Sequence, residues 1–219
     1  MFKEGMMTVV GIAFWESIYM TMVSTFFAYI IGLPLGLILV MTDKEGVRPM
    51  PNVHRILGIV INIVRSVPFL ILFVTIMPFT KLVIGTTIGS KAAIVGLLVA
   101  GAPFIARLVE SSLKEVEKGV VEAAQSMGAS PIQILVKVLL PEAKPSLFVG
   151  SAIAVTTILG YSAMAGFVGG NGLGAIAINY GYYRGQEDIM YVMVVLLVII
   201  VQVLQEVGMQ IAKRTDKRL

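Results

Sequence analysis

EAAQSMGASPIQILVKVLLPEA, residues 122–143, differs sharply from its surroundings. Lipid-soluble runs flank it on both sides, yet it carries Glu122, Gln125, Ser126, Ser130, Gln133, Lys137 and Glu142, and glycine and proline divide it. Val116, Val120, Ala123, Ala124 and Met127 recur at helical spacing and give residues 115–127 one apolar face. Gly128 then supplies a helix stop, and Ser130 before Pro131 reads as an N-cap with proline at the first helical position. Ile132, Leu135, Val138 and Leu139 make a second apolar face that ends at Pro141, the first turn of the next helix. The expected object is two short helices joined by an elbow at Gly128-Ala129. Two uses fit it: a lever that lies in a groove on a soluble partner, or an amphipathic pair resting on a lipid surface.

The surroundings are those of a membrane protein. The chain is 57% hydrophobic and 14% charged, against about 25% charged in an average soluble domain. A helix needs about 20 apolar residues to cross the hydrocarbon. Five stretches qualify, at about 17–42, 56–80, 90–113, 145–167 and 189–211, with the loop at about 115–141 between the third and fourth. Residues 168–183, GGNGLGAIAINYGYY at their core, are expected to form a glycine-rich loop. The fold class is all-α, a polytopic membrane protein in a single membrane domain over residues 1–219. The N-terminus has acidic residues and no small-residue cleavage site after a basic region, so it is not expected to be a removed signal peptide.

Charge gives the orientation. With the C-terminus inside, the inner loops are expected to hold twelve basic residues: Lys44, Arg48, Arg55, Arg107, Lys114, Lys118, Lys137, Lys144, Lys213, Arg214, Lys217 and Arg218. Lys3, Lys81, Lys91 and Arg184 stay outside, and Arg65 lies within a span. The positive-inside rule therefore puts the N-terminus outside and the C-terminus in the cytoplasm. The net charge of +4 reports this orientation and not nucleic-acid binding. No inverted internal repeat is visible, and five spans do not divide into halves. A pathway on a symmetry axis then needs a second copy of the chain, related by a two-fold.

Glu122-Ala123-Ala124, Gly128, Val138, Leu140 and Pro141 stand at the offsets of a known pattern. The arrangement resembles the cytoplasmic coupling loop of ABC importer permeases: EAA, three residues, G, nine residues, I, a variable residue, LP. Val138 replaces the usual isoleucine. NIVRSVPFLILFVTIMPFTKLVIGTTIG (62–89), AGAPFIARLVESSL (100–113) and LGYSAMAGFVGGNGLGAIAINYGYY (159–183) are similar to the permeases of methionine importers, small five-span homodimeric members of that group. The likeness runs from about residue 12 to about residue 212.

The resemblance implies that Glu122, Ala123, Ala124, Gly128, Ala129, Ser130, Pro131, Leu140 and Pro141 dock an ATP-hydrolysing subunit. It further implies two such subunits, a homodimer of this chain, an extracytoplasmic binding protein, and a place in the bacterial inner membrane. ATP and Mg would belong to the partner, with no cofactor or catalytic residue in this chain. Methionine is the implied cargo, with another amino acid or a small polar solute as the alternative. Without the resemblance, a passive channel or membrane scaffold remains open.

Other motifs carry less. GTTIGSK (85–91) fails the phosphate-loop pattern in spacing and order, and GLGAIA (172–177) has no βαβ unit around it. There is no cysteine, and one histidine, His54, without cysteine is not expected to make a metal site, so no metal-ligating residue is expected; it reads as part of the basic inner loop. Asp43, Asp188 and Asp216 fall outside span centres, so no intramembrane aspartate pair exists. Asn62, Arg65 and Ser66 share a helical face before Pro68. Arg65 either bonds carbonyls or a carboxylate, or lines a pathway together with Asn62. In YSAMAGF, Met164 sits among small residues, as a gap-filler or, with Tyr161 and Ser162, as a gate that could touch a thioether.

Overall fold

Backbone polar groups in lipid must be bonded within the chain, which leaves helices as the way to build spans from one polypeptide of this composition. The computed structural model describes residues 5–215, and among these the regular structure is helical throughout. Lys3, Asp216, Lys217 and Arg218, which entered the sequence reading, lie outside the described residues.

The first helix, α1 (Met6–Thr42), starts well before the expected residue 17. Glu16 does not end it, because the carboxylate accepts bonds from Ser90 Oγ at 3.0 Å and Asn171 Nδ2 at 2.8 Å. α1 packs along α5 (Ser90–Lys114), and small residues set the separation. A Cβ at Gly32 would stand 2.6 Å from the Ala102 carbonyl oxygen, and one at Gly36 would stand 2.7 Å from that of Ala106. Glycines four apart on one helix thus face alanines four apart on the other, which lets the backbones touch. Gly32 and Gly36, which flank Pro34, are this seam.

The expected second span, 56–80, is not one helix. α2 (Pro51–Ser66) stops before Pro68, which holds Val67 in an extended conformation at φ −79° and ψ 126°. The chain then turns by 102° into α3 (Phe69–Thr75), followed by α4 (Met77–Ile84). Among the described residues, four helices are long and apolar enough to cross a membrane, or five when the bent pair counts as one span.

α9 (Lys144–Ala165) lies against α1 and α5, with Tyr29 donating to Ser151 Oγ at 2.8 Å. Met20, Ala28, Leu97, Ile105, Ala154 and Ile158 are buried where these three helices meet. α11 (Glu187–Thr215) covers the far side of α9, and a Cβ at Gly208 would stand 2.5 Å from that of Ala152.

The stretch after α9 is not the open loop its glycines suggest. Residues 173–182 fold into α10 (Leu173–Ile176) and a π-helical turn, Ala177–Tyr182, with Leu173 fully buried. Ser17 Oγ accepts from the Leu173 amide at 2.8 Å. A Cβ on Gly174 would lie 2.2 Å from the Ala163 carbonyl oxygen, so glycine is what allows the segment to fold back onto α9.

Candidate coupling loop and the polar cluster beside it

Two short helices make the element between α5 and α9: α6 (Lys118–Ser126) and α7 (Pro131–Ile134). α6 closes in a Schellman motif. The Ala129 amide donates to the Ala124 carbonyl at 3.1 Å and the Gly128 amide to that of Gln125 at 2.9 Å. Gly128 takes φ 78°, in the left-handed region that favours glycine. Ser130 then opens α7 with a reciprocal capping box: its Oγ accepts from the Gln133 amide at 3.4 Å, and Gln133 Oε1 accepts from the Ser130 amide at 2.8 Å. The elbow is therefore fixed by local hydrogen bonds at both its arms.

The second arm is not the single regular helix expected from 131 to 140. After α7 a π-helical turn, Leu135–Leu139, leads into α8 (Leu140–Glu142), with Pro141 in its first turn. Pro141 has no N–H and would crowd the carbonyl four residues back, and a widened turn relieves that clash. The helical path then passes through Ala143 into α9.

One side of the element is anchored: Val116, Ala124, Ile134, Leu135 and Leu139 are buried. The other side is bare. Val120, Ala123 and Met127 form a stripe at i, i+3 and i+7, and Met127 is 81% exposed and Ile132 69% exposed. Glu122, Gln125 and Gln133 flank this stripe and are exposed too. An apolar stripe with a polar rim, held on a rigid elbow, is suited to a groove on another protein.

Behind the element lies a cluster that the sequence reading did not assemble. Arg107, assigned to an inner loop, instead stands within α5, and its Nη1 lies 2.6 Å from Glu110 Oε2. Lys114 Nζ bridges Glu110 Oε1 at 2.9 Å and Asp43 Oδ2 at 2.6 Å. Glu110 is 6% exposed, so its charge depends on these two cations. Arg107 Nη2 also donates to the Gly58 carbonyl at 3.2 Å and to Asn62 Oδ1 at 2.9 Å, which ties α2 to α5. His54 Nδ1 donates to the Leu39 carbonyl at 3.0 Å. On the outer edge Lys118 pairs with Glu45.

Ligating atoms of Asp43, His54 and Glu110 lie within 4.8 Å of one another. The Lys114 ammonium already occupies the position between the two carboxylates, so the cluster carries its own cation. The bond from Lys114 holds the Asp43 carboxyl below the usual carboxylate range. The i, i+3, i+7 spacing of Arg107, Glu110 and Lys114 in RLVESSLK was the available signal, a ladder of opposite charges along one helix face.

A family model described as "Binding-protein-dependent transport system inner membrane component" matches residues 32–219. The chain belongs to that family. Among curated relatives, the "Probable D-methionine transport system permease protein MetI" of Vibrio cholerae is 51% identical over 206 residues, spanning 94% of this chain and 92% of that one. The "D-methionine transport system permease protein MetI" of Escherichia coli K12 is 47% identical over 164 residues, 75% of this chain and 76% of that one. A solved structure of the MetNI methionine ABC transporter in an inward-facing conformation superposes with a TM-score of 0.96 at 44% identity, covering 99% of this chain and 100% of that chain. An amino acid ABC transporter solved with histidines shares the fold, with a TM-score of 0.79 at 15% identity. The all-α importer-permease architecture expected from the sequence is thus the observed one, in an inner membrane component.

Within this family member the remaining candidate residues separate. Tyr161 stacks on Phe69 of α3 with ring centroids 4.8 Å apart and planes 3° apart. Ser162 is buried and donates to the Leu159 carbonyl at 2.7 Å, inside the chain's own core. Met164 is 46% exposed on the surface of the single chain, beside that core. Asn62, Arg65 and Ser66 are all exposed on α2. Asn62 is engaged by Arg107, and Ser66 Oγ donates to the Asn62 carbonyl at 2.7 Å. Asn62 and Arg65 thus sit just before the α2–α3 bend, and Tyr161 and Met164 lie on the helix that α3 meets.

Proposed function

We propose that this chain is the permease subunit of an ATP-driven importer for methionine, working as a homodimer with two ATP-binding subunits and an extracytoplasmic binding protein. The observation that carries the motor assignment is the bare apolar stripe of Val120, Ala123, Met127 and Ile132 on an elbow whose backbone is locked by Gly128 and Ser130. Such an element transmits rigid-body motion. The cargo rests on the methionine relatives. The permease performs no hydrolysis of its own; closure of the partner subunits drives alternating access through it.

In this reading the end of the bundle carrying α6–α8 faces the cytoplasm, the N-terminus is outside and the C-terminus inside. Lys44, Arg48, Arg55, Lys114, Lys118, Lys137 and Lys144 all belong to the connections and helix ends on that side. Glu122, Ala123, Ala124, Gly128, Ala129, Ser130, Pro131, Leu140 and Pro141 form or shape the docking element. Met164 is the gate, with Tyr161 setting its helix against α3.

The test is ATP-dependent uptake of radiolabelled L- and D-methionine into proteoliposomes holding this chain, its co-purified ATPase and its binding protein. Uptake competed by methionine and not by unrelated amino acids is the expected result. Uptake of a different solute would replace the cargo and keep the coupling. Purification without any ATPase would favour a passive channel and overturn both.

A further inference from the structure

One string of contacts joins the coupling loop to the α2–α3 bend. Lys118, the first residue of α6, pairs with Glu45, and two residues earlier Asp43 pairs with Lys114. Lys114 and Arg107 hold opposite oxygens of Glu110. From there the Arg107 guanidinium reaches α2 at two points, the Gly58 carbonyl and Asn62 Oδ1. A Cβ at Gly58 would stand in ordinary van der Waals contact with Nη2, at 3.4 Å. Asn62 lies one turn before Ser66, where α2 ends, and beyond the 102° bend Phe69 stacks on Tyr161. Met164 follows three residues on, along α9.

We propose that Arg107 is a positioning residue of the transport cycle, whose planar fork fastens α2 and its bend to the ion-paired base of α5 so that displacement of the coupling loop reaches the gate. The proposal rests on the permease reading above. Guanidinium geometry is what the site uses. One nitrogen satisfies the buried carboxylate while another bridges a carbonyl and an amide oxygen on a different helix, a division of labour that a single ammonium cannot reproduce. If Arg107 served only to neutralise Glu110, lysine would replace it without loss.

The experiment uses the full transporter with its ATP-binding subunit and binding protein in proteoliposomes, and reads methionine moved per ATP hydrolysed. The variants are Arg107→Lys, Asn62→Leu and the two together. Each single variant is expected to assemble and hydrolyse ATP near the parent rate while moving about ten-fold less methionine per ATP, within the usual range of coupling between sites. The double variant should be no worse than either single one, because both remove the same contact. Parental stoichiometry in Arg107→Lys and Asn62→Leu, or losses that multiply in the double variant, overturns the proposal. Should Arg107→Lys assemble poorly, Asn62→Leu decides alone, since Asn62 is exposed: parental stoichiometry there is the overturning result. Absence of ATP-dependent uptake by the parent itself would instead sink the permease reading.

Discussion

The coupling loop and the Arg107 cluster lie at the same end of the molecule and are built on opposite plans. The loop is anchored on one side by Ala124, Ile134, Leu135 and Leu139 and exposed on the other, and its elbow is shaped by hydrogen bonds between residues three to five apart, such as Ala129 to Ala124 and Ser130 to Gln133. The cluster is part-buried and gathers Asp43, His54, Gly58, Asn62, Arg107, Glu110 and Lys114 from two helices and a connection. A local device can stand proud of the bundle and meet a partner without losing its shape. A tertiary one fixes how the helices stand to each other, because its side chains come from segments far apart in the chain.

The contrast is most exposed to test in the cluster. Glu110→Ala leaves Arg107 without its carboxylate and Lys114 with Asp43 alone, and should destabilise the chain by about 3 kcal/mol. Arg107→Leu combined with Glu110→Leu should recover most of that, as read by thermal melting in detergent. Equal melting of the Ala variant and the parent would show that the cluster does not hold the helices.

Next in size is the seam that supports it. Gly36→Val drives a side chain into the Ala106 carbonyl and Val109, and should cost about 2 kcal/mol in the same assay. An unchanged melt would show that α1 and α5 have room to spare.

Changes in the loop should be smaller in stability and larger in coupling. Gly128→Ala meets no neighbouring atom, so its cost is the left-handed backbone alone, about 1 kcal/mol, while co-purification of the ATPase drops. Gly128→Asn, which tolerates that conformation better, should retain more of the partner. Ser130→Ala removes one cap, worth about 1 kcal/mol locally, and should speed amide exchange at Gln133, measured by hydrogen–deuterium exchange.

The smallest effect is on pH dependence. Because Asp43 titrates below its unfolded value, its contribution is present above the ordinary carboxylate range and is lost as pH falls through the lowered one. Melting below about pH 4, the ordinary carboxylate value, should therefore be less steep in pH for Asp43→Asn than for the parent. Identical slopes would remove Asp43 from the network.

The loop was legible because capping and helix-stop chemistry is written in adjacent residues. Ser130-Pro131 and Gly128 appear where the structure uses them. The widened turn before Pro141 was not legible, since hydropathy and periodicity do not distinguish four-residue from five-residue bonding. Arg107 was counted as a loop residue because charge at the edge of an apolar run marks a boundary by default. Its partners on α2 lie 45 and 49 positions away. The glycines at 169–174 read as loop, yet Gly174 is there because Ala163 is pressed against it.

By itself, the sequence determined that the chain enters a membrane as helices, that a polar elbow interrupts them at Gly128, and which relatives it resembles. Apolar length and local backbone chemistry suffice for these. Only the tertiary structure decided that the second span breaks at Pro68, that residues 173–182 fold back as helix, and that Glu110 is held by Arg107 and Lys114. In lipid every helix is greasy, so hydrophobicity does not say which faces meet; size and hydrogen bonding at the contacts do.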